Sequence, residues 1–281
     1  MFRKIAKKIL TRSPKAYTAI HTSNFERTHK QDFSKLGDKE KEALLEIQKN
    51  GYAVIPNFFD KEICEACIRD MDVMYDTKKE FVHNTEYADS RIFGAEDLSE
   101  NIRKFADDSF LHKIANAYNA VPTSNGFTLA GRIKATGHEF GSGGSWHRDS
   151  YFRQFKSLLY LTDVNVENGP FQVIHRSHRS KQISIDSKNA NLESMQCSFN
   201  QNIVEKILNE NPDRLKTLTG NAGTLVLVDT SIIHRGLPLE EGVRYALTNY
   251  FFENTQINSH LVEHFAPIVS PDKVLKMGQN N

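Results

Sequence analysis

The chain changes character near Gly126. Before it, apolar residues recur at helical spacing; after it, short alternating or continuous apolar runs dominate. No βαβ alternation joins the two halves, which argues against a doubly wound parallel sheet. Helices first and strands later predict a mainly β protein, an antiparallel sandwich or barrel wrapped by N-terminal helices. The β-runs are Phe127–Lys134, Ser157–Val164, Pro170–His175, Gly223–Thr230 and Arg244–Phe252, and Glu167-Asn-Gly-Pro forms a turn between two of them.

In the first half, Asp38 opens an amphipathic helix that Gly51 stops, and Tyr52-Ala-Val-Ile reads as a short strand. Asp60 caps a helix to about Tyr75, and another helix is expected from Ser99 to Asn119. Residues 77–98 show no period and read as a long loop near the active site. Residues 176–222 are polar, with a helix-like segment around Ile203–Leu208. Residues 1–37 are expected to be a basic arm and 38–281 a single domain.

That arm carries Arg3, Lys4, Lys7, Lys8, Arg12 and Lys15 with no acid among its first sixteen residues, while Phe2, Ile5, Ile9 and Leu10 fall at helical spacing. It suits a basic helix lying on an anionic membrane surface, a solvated arm, or a transit sequence. Over the whole chain, 36 basic against 35 acidic side chains give +1, which does not suit a nucleic-acid binder. The 3 cysteines cannot build a disulfide framework. Cys64-x-x-Cys67 falls on a predicted helix and lacks further zinc ligands beyond Cys197, so packing thiols in a reducing cytoplasm are expected. A contact with the inner face of the membrane through residues 1–16 is compatible with that setting.

His147 and Asp149 stand two apart in Trp146-His-Arg-Asp, so on a strand both side chains share a face. His234 ends an apolar run, and Arg244 begins another. Two imidazoles and one carboxylate are the donor set that holds non-haem Fe(II) on one face and leaves the other positions open. An arginine buried one strand later demands an anionic partner, and its planar fork suits a carboxylate. His175 and His178, three apart, would point to opposite faces of a strand and read as loop and packing residues; His138 and Trp146 flank the site.

In this order the chain resembles the phytanoyl-CoA dioxygenase family of Fe(II)- and 2-oxoglutarate-dependent oxygenases. The resemblance rests on Gly51-Tyr-Ala-Val-Ile-Pro-Asn-Phe-Phe, Trp146-His-Arg-Asp, Leu161-Thr-Asp-Val-Asn-Val-Glu-Asn-Gly-Pro-Phe-Gln-Val-Ile, Arg176-Ser-His, the strand into His234, and Arg244. It implies a double-stranded β-helix (a jelly-roll, cupin-like core), with iron on His147, Asp149 and His234. It also implies 2-oxoglutarate gripped at its far carboxylate by Arg244, dioxygen as oxidant and ascorbate as a stimulant. A second cosubstrate contact is expected from the first core strand, where Arg132, Lys134 and Thr128 share one alternating face. Relatives often carry Pro-Gly-Ser-His where this chain has His175-Arg-Ser-His, and Ser or Thr where Ala246 stands. Related halogenases have a small residue at the carboxylate position, so Asp149 points to hydroxylation of an aliphatic C–H.

Two other readings stay open: a cupin-like metalloenzyme that needs no 2-oxoglutarate, and a non-catalytic sensor or binding protein of the same fold. Arg91, Arg148, Arg153, Lys156 and Arg176 gather positive charge around the expected mouth. They suit a small anionic substrate or an acidic glycan, such as a glycolipid or lipopolysaccharide sugar, or are solvated rim charges.

Overall fold

Two antiparallel sheets face each other, and each is covered on its outer side by helices. In this computed structural model, residues 30–84, 89–135 and 144–253 are described, together with isolated positions between 16 and 23. The basic segment 1–15 and His138 lie outside the described residues.

Helix α1 (Asp38–Asn50) ends where Gly51 takes a left-handed φ of 93° and returns its N–H to the Ile47 carbonyl. Strand β1 (Tyr52–Ile55) follows at once. Asp60 caps α2 (Lys61–Thr77) by accepting from the Ile63 N–H. The segment expected as one helix over 99–119 is two, α3 (Glu100–Ala106) and α4 (Ser109–Asn119). Asp108 is the reason: its carboxylate accepts the Phe110 and Leu111 N–H groups and starts a new helix.

The expected loop over 77–98 also has structure. It holds strands β2 (Val82–Asn84) and β3 (Asp89–Phe93), which extend the larger sheet along β4 (Thr123–Lys134). The further strands are β5 (Trp146–His147), β6 (Phe155–Tyr160), β7 (Phe171–Ile174), β8 (Ser198–Phe199), β9 (Leu215–Leu218), β10 (Leu225–Asp229), β11 (His234–Gly236) and β12 (Val243–Glu253). The seven-stranded sheet runs β1-β10-β6-β12-β4-β3-β2, and the five-stranded sheet runs β8-β5-β11-β7-β9. Together they form a jelly-roll core whose sheets do not close into a continuous barrel.

Burial on both faces explains why β10 and the end of β6 read as nearly continuous apolar runs, whereas β12 alternates buried and half-buried positions. Leu159, Leu225, Leu227 and Leu247 pack outward on Leu44, Ile47, Met71 and Ile114 of the helices. From the other face, Tyr160, Val226 and Val228 meet Val173, Leu218 and Ile232 between the sheets. A second core lies behind the smaller sheet, where Trp146, Ile174, Phe199 and Ile233 meet Ala190, Val204 and Ile207 of α5 (Ser180–Ala190) and α6 (Gln201–Leu208). The polar stretch 176–222 thus supplies two helices and two strands that the sequence pattern only hinted at. Its anchor is a buried bidentate pair, Arg214 to both oxygens of Asp186 at 2.8 Å.

Cys64 and Cys67 are fully buried free thiols, with burial pushing them up to about 11 and about 12. They pack, as their helical setting suggested. Among the described residues, no helix is long and apolar enough to cross a membrane.

Candidate active site

His147 ends β5 and His234 begins β11, and the two are direct cross-strand partners. Their rings lie 4.4 Å apart between centroids. Asp149 follows just beyond β5, fixed by its own N–H on the Thr230 carbonyl at 3.0 Å. One ligand atom from each of the three side chains lies within 4.8 Å of the others, so His147, Asp149 and His234 can share a metal ion.

The imidazole orientations make the set fit for a metal. His147 Nδ1 is 2.7 Å from the Ser145 carbonyl and His234 Nδ1 is 2.9 Å from the Ile232 carbonyl. A carbonyl only accepts, so each Nδ1 carries the proton and donates it. That leaves both Nε2 lone pairs aimed at the carboxylate, 3.5 Å from Asp149 Oδ1 for His147 and 3.8 Å from Oδ2 for His234. Such second partners fix the tautomer and ring direction of metal-binding histidines. Burial pushes His234 down to about 4, which keeps it neutral and able to ligate. For His147 burial acts in the same direction, but the Asp149 carboxylate and the Ser145 carbonyl outweigh it and move it up. Burial would raise Asp149; the Lys156 ammonium and the two imidazoles overcome that and hold it well below the usual carboxylate range.

These groups open onto a cavity of about 390 Å³ between the sheets. Leu129, Ile133, Leu158, Phe171 and Val228 form apolar walls, and Arg244 stands on the same cavity from the start of β12. Its guanidinium is half-buried; burial lowers it, opposed by the nearby charges of Tyr160 and Asp89, and among the described residues no carboxylate oxygen comes close enough to form an ion pair with it. A partly desolvated cation facing a cavity without a direct ion pair suits an anion from outside. Gly169, in the Glu167-Asn-Gly-Pro turn, borders it: a Cβ there would sit 3.4 Å from an Arg244 terminal nitrogen and 2.7 Å from the Leu237 carbonyl oxygen. With φ at +66°, Gly169→Ala is expected to cost about 1–2 kcal/mol from backbone strain alone. Thermal melting should show a midpoint several degrees lower, and the same variant should bind 2-oxoglutarate more weakly if Arg244 is its anchor.

Other residues singled out by the sequence fall elsewhere. On β4 the cavity face is Leu129, Gly131 and Ile133, so Thr128, Arg132 and Lys134 lie on the opposite face, Thr128 buried and Lys134 exposed at the strand end. Arg132 stacks 4.1 Å from the Tyr75 ring centre and pairs with Asp72, and Thr128 donates to Asn249. None of these three, expected as the first-strand cosubstrate contact, lines the cavity. Of the five basic residues assigned to the mouth, only Arg91 and Lys156 line the cavity. Arg148 is buried behind β5 and donates to the Ser231 carbonyl, while Arg153 donates to the Tyr118 carbonyl. Arg176 occupies a left-handed turn position beyond β7. Trp146 points into the second core, under Arg235, and not toward the rim. His175 and His178 lie in the turn after β7, where His175 packs edge-on to Tyr52.

The sequence reading places Arg91 and Lys156 at the mouth but misses strand β3, Asp89 and the depth of Lys156. β3 brings in Asp89 and Arg91, paired at 2.7 Å, as a polar wall beside Arg244. Lys156 reaches the centre of the site and donates to Asp149 Oδ2 at 2.6 Å.

The fold has solved counterparts. EctD from S. alaskensis, with 2-oxoglutarate and 5-hydroxyectoine, superposes with a TM-score of 0.61 at 16% identity over 81% of this chain and 80% of that one. The epimerase SnoN of nogalamycin biosynthesis, in complex with Fe3+, alpha ketoglutarate and nogalamycin RO, gives 0.59 at 13% identity over 77% and 84%. HygX from Streptomyces hygroscopicus, with nickel, 2-oxoglutarate and hygromycin B bound, gives 0.52 at 17% over 77% and 87%. At such identities these likenesses establish the architecture alone. No curated protein is a significant match to the sequence. The model of the phytanoyl-CoA dioxygenase family, however, matches residues 47–240, a span that contains all three candidate metal ligands, and the chain belongs to that family.

Proposed function

We propose that this protein is an Fe(II)- and 2-oxoglutarate-dependent oxygenase that hydroxylates an aliphatic C–H of a small, acidic molecule. One observation carries the reading: two Nε2 lone pairs and one ionised carboxylate converge on a cavity that also holds an arginine with no carboxylate ion pair among the described residues. The donor set suits ferrous iron, and the half-buried guanidinium suits the far carboxylate of a keto-diacid. Iron and 2-oxoglutarate, when bound, supply the oxidising chemistry, with succinate and carbon dioxide leaving as coproducts.

The chain's own residues then have separable tasks. His147, Asp149 and His234 hold the ion, and Arg244 fixes the cosubstrate by paired, charge-assisted hydrogen bonds. Leu129, Ile133, Leu158 and Val228 keep the chamber apolar and exclude water. Arg91, at the cavity wall, offers a contact for an acidic group on the substrate. EctD, SnoN and HygX were each solved with a small molecule, which supports a substrate of that class and leaves an acidic sugar within it. Because SnoN is an epimerase, the outcome after C–H attack needs its own assay.

The test is a metabolite screen on iron-loaded protein, scored by succinate formed from 2-oxoglutarate and by an added oxygen on the product. A chelator should remove all turnover, and ferrous iron should restore it. Metal-dependent conversion of a substrate without succinate would favour the cupin-like alternative instead.

A further inference from the structure

Lys156 has no place in the donor set, yet it is the most committed side chain in the cavity. It stands on β6 between Val228 and Tyr250 in register and is only 7% exposed. Its Nζ donates to Asp149 Oδ2 at 2.6 Å and lies 3.8 Å from the centre of the Tyr250 ring. A buried ion pair seldom stabilises a fold more than apolar groups of the same shape. Stability alone therefore gives no reason for an ammonium here.

Its position gives one. Asp149 has two oxygens: Oδ1 faces His147 Nε2 at 3.5 Å, while Oδ2 is taken by Lys156, with His234 Nε2 further off at 3.8 Å. Resting on the metal reading above, the structure assigns Lys156 as a positioning residue that restricts Asp149 to one-oxygen ligation. The count of coordination positions makes this matter. Three protein donors on a six-coordinate ion leave three positions, and a chelating 2-oxoglutarate uses two. A carboxylate gripping through both oxygens would close the last one, where dioxygen must enter. By engaging Oδ2, Lys156 keeps that position open, and Tyr250 limits where its ammonium can move.

Manganese(II) reports on this without turnover. Crystal structures of wild type, Lys156→Arg and Lys156→Met, each loaded with manganese(II) and 2-oxoglutarate, give the carboxylate denticity, and water-proton relaxation gives the number of metal-bound waters. Wild type and Lys156→Arg should show one Asp149 oxygen and one water on the ion. Lys156→Met should show both oxygens and a relaxivity cut by more than half, with 2-oxoglutarate affinity changed less than threefold. Oxygen uptake by the iron form should then slow at least tenfold. One-oxygen ligation and unchanged relaxivity in Lys156→Met would overturn the assignment. So would one-oxygen ligation with a tenfold loss of 2-oxoglutarate affinity, which would make Lys156 a cosubstrate contact. A wild type that places no manganese on His147, Asp149 and His234 would overturn the metal reading itself. If Lys156→Met fails to fold, Lys156→Arg still decides: both Asp149 oxygens on the ion in that variant would overturn the assignment, and one oxygen would support it.

Discussion

His234→Ala should abolish 2-oxoglutarate turnover, with a loss of at least about a thousandfold, or roughly 4 kcal/mol of barrier. His234 is buried at the junction of β11, β5 and β7, so no neighbouring side chain can take its place on the ion. His147→Ala should behave alike, because the two rings face one carboxylate from adjacent strands. Removing a buried ring also leaves a hole, so His234→Gln, which fills most of the volume, separates ligation from packing. Succinate release, bound metal per chain and the melting curve are the measurements. Turnover within tenfold of wild type in a folded His234→Ala protein would refute its role as a ligand.

Arg244→Ala should act differently, weakening 2-oxoglutarate while leaving metal uptake near normal. Breaking a buried, hydrogen-bonded charge pair costs about 2–5 kcal/mol, which corresponds to a loss of affinity from about thirtyfold to several thousandfold. Arg244→Lys should recover only part, since a point charge does not replace a planar two-pronged donor. Titration of 2-oxoglutarate into the metal-loaded protein reads both variants. An unchanged affinity in Arg244→Ala would remove it from the cosubstrate site. Arg132→Ala should leave that affinity alone, because its guanidinium is engaged with Tyr75 and Asp72 across the sheet.

What could be read from the sequence was the part governed by short-range chemistry. Asp60 and Gly51 announce helix ends because caps act within one turn, and His147 with Asp149 share a face because strand side chains alternate. The jelly-roll family was legible in the order of motifs. Parity was not: on β4, alternation groups Thr128, Arg132 and Lys134 correctly but cannot say which face meets the cavity when both are covered. β3 was missed for a related reason. Asp89 and Arg91 point into the chamber, so the strand shows polar residues where an inward face normally shows apolar ones. Lys156 looked like a rim charge because depth depends on contacts across the chain, here with Tyr250 far along the sequence.

The candidate ligands hang from the smaller sheet, whereas Arg244 and Lys156 belong to the larger one. An occupant held at both ends would act as a rivet through two separate leaves. Occupancy then becomes part of the mechanical integrity of the molecule. At a hundred times its dissociation constant, a ligand of the native state adds about 2.7 kcal/mol of resistance to unfolding. In a cell poor in iron or 2-oxoglutarate, the empty leaves would part more readily, and the supply of both would govern how long each copy survives as well as how fast it works.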